Sequence, residues 1–202
     1  MFIIFASVLN YSMENYYQLL RQHIEMINPL TDREWEYVMP FFTYKKLKKH
    51  QFLLQKEDTV KKEYWIIKGL LKTYAIDDSG KEHILQFAME NYWTSDYYAL
   101  QYQLPGNLYI DCLEDSEFFC LHLEDREEIC RNIPAMTNFF RVKSNYGYIA
   151  LQQRVMSLLT ETAEQKYNNI IKKLPNLIQR VPKKLLASYL GVTRETLSRL
   201  KN

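Results

Sequence analysis

The stretch LASYLGVTRETLSRLKN, residues 186–202, places Arg194, Glu195, Ser198 and Arg199 within six positions. On a helix, side chains three and four apart share a face, so these four project together. An arginine offers a two-pronged donor that fits the O6 and N7 of guanine, and a glutamate accepts from the N4 amino group of cytosine. A carboxylate in such a segment is awkward for holding phosphate but suits the reading of base edges. A solvated helix with incidental Arg/Glu pairing is the plainer account, because surface ion pairs are common and weak.

Other chemistries lack residues to carry them. Cys112, Cys120 and Cys130 form no C-x-x-C pair and no cluster with histidine at metal-ligand spacing. His23, His50, His83 and His122 are scattered. No metal, cofactor or catalytic residue is expected, and the cysteines read as reduced thiols in a cytoplasmic protein.

The elements that would aim the arginines are legible. Pro182 suits the first turn of one short helix, Gly191 suits its close, and Thr193 suits the cap of the next. Leu197 and Leu200 would face back onto Leu185, Leu186 and Tyr189. Two short helices joined by a turn at Gly191 match helix-turn-helix spacing. From Glu161 on, nine lysines and arginines oppose three glutamates, a local charge of +6 in a chain of net +2. The basic module is thus set against a mildly acidic remainder, as a polyanion-binding end would be. Lys183, Lys184 and Lys201 would supply phosphate contacts. Pro175 breaks this region, which reads as three helical pieces.

Upstream, the apolar period is helical from Pro134 to about Leu159. Phe139, Val142, Tyr146, Ile149 and Met156 form a seam longer than a small domain can cover, so a homodimer is expected to meet along it. Residues 43 to about 123 are short β-branched and aromatic runs: YKKLKKHQFLLQ, EYWIIKGLLKTYAI, EHILQFAME and NLYIDCLEDSEFFCLHL. Asp77–Gly80 reads as a hairpin turn and Gly69 as a tight turn or bulge. These strands argue for a closed or sandwiched antiparallel β-domain. Residues 13–42 read as helical, with a second helix opening at Thr31 or Asp32. Residues 1–12 are apolar but too short to span a bilayer, and they lack the features of a signal peptide. Met13, which opens an amphipathic stretch, is an alternative start.

These motifs together resemble the Crp/Fnr (cyclic-AMP receptor protein/fumarate-nitrate regulator) family of bacterial transcription factors. TRETLSR is similar to that family's recognition helix at Arg194, Glu195 and Arg199. KGLLKTYAIDDSGKEHILQFA resembles its effector domain and PAMTNFFRVKSNYGYIALQQRVMSLL its dimerisation helix, so the resemblance covers the chain from about residue 28 onward. It implies an α+β architecture. A β-roll effector domain (a jelly roll of the cyclic-nucleotide-binding type) spans residues 1–132, a dimerisation helix 133–160 and a helix-turn-helix domain 161–202. It further implies a cytoplasmic homodimer that regulates transcription on a pseudo-palindromic operator, with double-stranded DNA contacted by Thr193, Arg194, Glu195, Ser198, Arg199, Lys183 and Lys184.

The departures from the family matter. Members that bind cyclic nucleotides carry Gly-Glu followed by Arg-Ser/Thr. Here Trp93-Thr94 stands in the first place and Asn107-Leu108 in the second, with no arginine between Lys81 and Arg126. The cyclic phosphate would lose its charge-assisted partner, and Trp93 would fill the space a glycine leaves. Cyclic-nucleotide sensing is therefore not expected. A pocket for an unidentified effector could instead use Trp93, Thr94, Asp96, Tyr97, Asn107 and Tyr109, or these rings simply fill the roll. Little chain remains beyond the last helix for a wing. The rival reading is a β-roll small-molecule-binding protein or enzyme with a helical tail and no DNA binding. It needs a metal cluster or paired carboxylates, and DREE at Asp125–Glu128 sits in an expected surface segment.

Overall fold

The structure is a computed structural model that describes residues 2–200, with side chains from residue 13 onward. Helix α1 (Phe2–Glu25) leads to α2 (Asp32–Val38), whose Thr31 cap accepts from Glu34 N–H while Glu34 reciprocates at the Thr31 N–H. That capping box fixes the entry of α2.

Eight strands follow in two four-stranded antiparallel sheets. One runs β1 (Thr43–Leu47), β8 (Ser116–His122), β3 (Lys62–Lys68), β6 (Trp93–Thr94). The other runs β2 (Phe52–Leu54), β7 (Tyr109–Cys112), β4 (Leu71–Ile76), β5 (Glu82–Ala88). YKKLKKHQFLLQ is therefore not one strand. His50, at φ +68°, turns the chain, so that β1 and β2 join different sheets. Gly69, between β3 and β4, has φ +113°, and a Cβ there would lie 2.3 Å from Ser116 Oγ. Only glycine meets both demands.

Side-chain alternation makes three cores from these sheets. Tyr64, Ile66, Leu71, Ile110, Phe118 and Cys120 meet between them. Trp65, Ile67, Trp93, Phe119 and Leu121 point the other way, onto the helices α1, α2, α4 (Leu123–Asn132) and α5 (Pro134–Thr160). On the far side, Tyr74, Ile84 and Phe87 meet the C-terminal helices. Helices thus cover both sheets, and β3 is buried on its two faces. That is why EYWIIK is almost continuously apolar rather than alternating.

Helix α5 spans 27 residues, about 40 Å at 1.5 Å per residue. Its first turns, at Met136, Phe139 and Phe140, are buried against the first sheet. Phe139 is fully buried within its own chain, which corrects its assignment to an intersubunit seam. Val142 is half-buried, whereas Tyr146, Ile149 and Met156 are 65%, 49% and 51% exposed. The C-terminal region holds four helices rather than three pieces: α6 (Ala163–Lys173), α7 (Pro175–Arg180), α8 (Lys183–Leu190) and α9 (Arg194–Arg199). Pro175 ends one helix and starts the next, because a first-turn position has no N–H to lose. None of the described helices is long and apolar enough to cross a membrane.

Candidate nucleic-acid interface

Helix α8 ends at Gly191, which takes the left-handed conformation (φ +67°) and donates its N–H to the carbonyls of Ala187 and Ser188. Val192 N–H also closes onto Ala187 O at 3.0 Å. Two residues later Thr193 Oγ1 accepts from Thr196 N–H at 3.1 Å and starts α9. The cap and the glycine leave only Val192 between them, so the two helices meet at a fixed, tight corner. Leu197 is buried with Leu186, Ala187 and Leu190, and Leu200 packs at the edge of the same core.

That anchoring turns the other side of α9 outward. Thr193, Arg194, Glu195, Ser198 and Arg199 are all exposed, as are Lys183 and Lys184 at the start of α8. Lys201 lies outside the described residues. Among the described residues no carboxylate forms an ion pair with Arg194 or Arg199, so both guanidinium groups are free to meet a partner. Glu195 is held below the usual carboxylate range by its own backbone N–H and the Thr193 hydroxyl, with smaller help from Arg194 and Arg199. It is thus a charged acceptor at neutral pH.

The face is held in place from beneath by residues that the sequence does not single out. Arg180 of α7 donates to both Glu90 oxygens and to both Glu114 oxygens, at 2.7–3.0 Å. Glu90 also accepts the Gly69 N–H. Arg154 of α5 donates to Ile84 O and Tyr189 O, each at 2.9 Å, and lies 3.6 Å from the centroid of the Tyr189 ring. Ser188 donates to Glu82 O. Opposite charge at wide sequence separation was the only available signal for these ties, and it names no pair.

The expected effector-pocket residues do not line one cavity. Trp93 points away from the roll interior, meets Phe42 and Phe140 edge-on and Phe139 at a tilt, and donates Nε1–H to His23 Nε2 at 3.1 Å. It therefore does not fill ligand space as expected from sequence. Tyr97 is part-exposed on α3 (Tyr97–Tyr102), 5.6 Å from Lys143 Nζ, and Tyr109 stacks on Tyr74. Thr94 is buried with its hydroxyl 3.3 Å from that of Thr73. Asp96 and Asn107 do come together. The buried Asp96 carboxylate accepts the backbone N–H groups of Ala99, Asn107 and Leu108, at 3.1, 2.8 and 3.1 Å.

No family model matches the chain, and no curated protein matches it in sequence. Solved structures do. FixK2 from Bradyrhizobium japonicum superposes with a TM-score of 0.70 at 14% identity, covering 79% of this chain and 82% of that one. The c-di-GMP-responsive global regulator CLP of Xanthomonas campestris gives 0.67 at 14% identity over 84% and 89%. The Thermus thermophilus catabolite activator protein gives 0.55 at 18% identity over 87% and 84%. The resemblance to the Crp/Fnr family is therefore one of fold across most of the chain: two antiparallel sheets with their attendant helices, arranged as in these regulators.

Proposed function

We propose that the protein is a DNA-binding transcription regulator of Crp/Fnr type. It acts as a cytoplasmic homodimer that sets two helix-turn-helix units, each α8 and α9, on a pseudo-palindromic operator. The observation that carries this reading is the outward face of α9, where Arg194 and Arg199, without an ion-pair partner among the described residues, stand beside an ionised glutamate on a helix locked from behind by Leu197. Arg194, Glu195, Ser198 and Arg199 read base edges, while Lys183 and Lys184 hold phosphates. The exposed apolar seam of α5 at Tyr146, Ile149 and Met156 supports pairing with a second copy, which would place two α9 helices for half-sites about one helical turn (~34 Å) apart.

The reading excludes cyclic nucleotides as the signal. The amides of Asn107 and Leu108, at the place where cyclic-nucleotide binders have Arg-Ser, are already taken by the Asp96 carboxylate. Nothing in this function asks for catalysis.

The test is operator selection from random duplexes, followed by binding to variants. Arg194→Ala or Arg199→Ala should cost ~1–3 kcal/mol on the selected site and relax sequence preference. Lys183→Ala should weaken all duplexes alike and flatten the salt slope by about one. If both classes weaken specific and non-specific duplexes equally, α9 is not the reading helix.

A further inference from the structure

A second feature of the roll stands apart from α9. Between β1, β8 and β3 a basin of about 210 Å³ opens at the edge of the inter-sheet core, lined by Lys45, Thr59, Lys61, Lys62, Tyr64, Cys120 and His122. Strand alternation accounts for its charge. Tyr44 and Lys46 project to one face of β1, where both reach Glu117, whereas the exposed Lys45 projects to the other, at the mouth of the basin. Lys62 pairs with His122 and Tyr64 with Cys120 across β3 and β8, which brings lysine and histidine to the rim and tyrosine and cysteine to the floor.

Among the described residues no carboxylate pairs with Lys45, Lys61, Lys62 or His122, although neighbouring Lys46 and Lys48 pair with Glu117 and Asp115. Asp58, whose charge reaches Tyr64, is not a lining residue, and its carboxylate accepts Gln55 N–H at 2.8 Å. The lysine charges converge on the floor. Burial raises the Cys120 thiol, and Lys62 and Lys45 are the first charges to oppose it. Two bonds to backbone carbonyls tie the wall, Leu123 N–H to Lys61 O at 3.0 Å and Ser95 Oγ–H to Lys62 O at 2.7 Å. Three lysines around one open basin, two of them exposed, raise the local positive potential, which favours an anion there.

We propose that this basin is a binding site for a small phosphate-bearing anion. Three ammonium groups without an arginine fork suit a tetrahedral, multiply charged group better than a planar carboxylate. The volume falls below the ~300 Å³ of drug-sized pockets, which limits the occupant to a compact molecule. The Thr59 and Tyr64 hydroxyls add neutral hydrogen-bonding groups, and the Tyr64 ring gives an apolar floor.

The test titrates the full chain with pyrophosphate by calorimetry, with tricarballylate as a carboxylate control of about the same charge near neutral pH, and needs no DNA. Saturable pyrophosphate binding is expected, at least tenfold tighter than tricarballylate. Lys45→Met/Lys62→Met should weaken it tenfold or more, while Lys48→Met/Lys81→Met, with the same change in net charge, should leave it intact. In proton spectra the His122 ring, alone of the four histidines, should shift on titration. The site is overturned by an absence of saturable binding, by equal loss in both double variants, or by loss in Arg194→Ala/Arg199→Ala, which would put the anion on α9.

Discussion

Glu63 offers the sharpest test of how α5 is tied to the roll. Its side chain is 1% exposed on β3, in contact with Lys143 of α5 and 3.4 Å from Arg126 of α4. Lys143 itself lies beneath aromatic cover, with Nζ 3.9 Å from the Trp93 centroid and 5.1 Å from that of Phe140. Lys143→Met keeps the apolar stem and removes the charge. Breaking a buried pair costs about 3–5 kcal/mol, and because Arg126 stays the low end applies, about 3. Glu63→Leu should cost less, about 2, because burial already lowers the Lys143 ammonium and lets it shed its proton, while Arg126 keeps Glu127 at 3.2 Å. Independent effects would sum to about 5 kcal/mol. The double variant replaces the pair with apolar groups, and should cost about 2, a coupling of about 3 kcal/mol. Urea unfolding reads all four proteins, provided the denaturant slope stays constant. Additivity within ~0.5 kcal/mol would refute the pairing and with it this link between sheet and long helix.

Ile149→Glu tests assembly: the residue is half-exposed in the protomer, so folding should persist, while two like charges would be buried in the seam of a dimer. The variant should sediment as a monomer and lose a palindromic operator, and an intact dimer would remove the seam. His23 sets a pH response. Burial foremost, then the Lys143 charge, lowers its pKa to about 4 from an ordinary 6.5. The folded protein therefore keeps it neutral while the unfolded chain takes up a proton. Its contribution is complete above pH 6.5 and is lost as pH falls toward 4, about 2 kcal/mol after allowing for partial exposure. Urea midpoints should fall across that window and fall less in His23→Gln; equal slopes would contradict the assignment.

Local chemistry made much of the fold legible. Thr31, Thr193 and Gly191 announce helix ends through bonds made within a few residues, whereas Pro182 stands at the cap of α8, one place before the first turn expected of it. The hairpin at Asp77–Gly80 is written in its turn residues, and Asp77 accepts from Ser79 and Lys81 N–H. What escaped was set by distance or by brevity. β6 has two residues and α3 six, too few for a period to register. Phe139 fits the α5 seam in spacing, but the helix leaves its own domain only after that point, and periodicity does not record where cover ends. Arg180, Glu90 and Glu114 lie 66 and 90 positions apart. Nothing local distinguishes them from other surface charges, yet they hold the interface in place.

The core shared by the second sheet and the last helices bears on the birth of the chain. Tyr74, Ile84 and Phe87 are complete as a sheet face once β5 and β7 have been made, but their cover arrives only with Tyr167, Leu177, Leu186 and Leu190. Synthesis proceeds from the N-terminus at roughly 5–20 residues per second. The emerging roll therefore carries a bare apolar face for several seconds, until α8 emerges from the ribosome and seats on β5. The helices proposed to meet DNA thus also serve as the lid that ends the nascent roll's exposure to its neighbours.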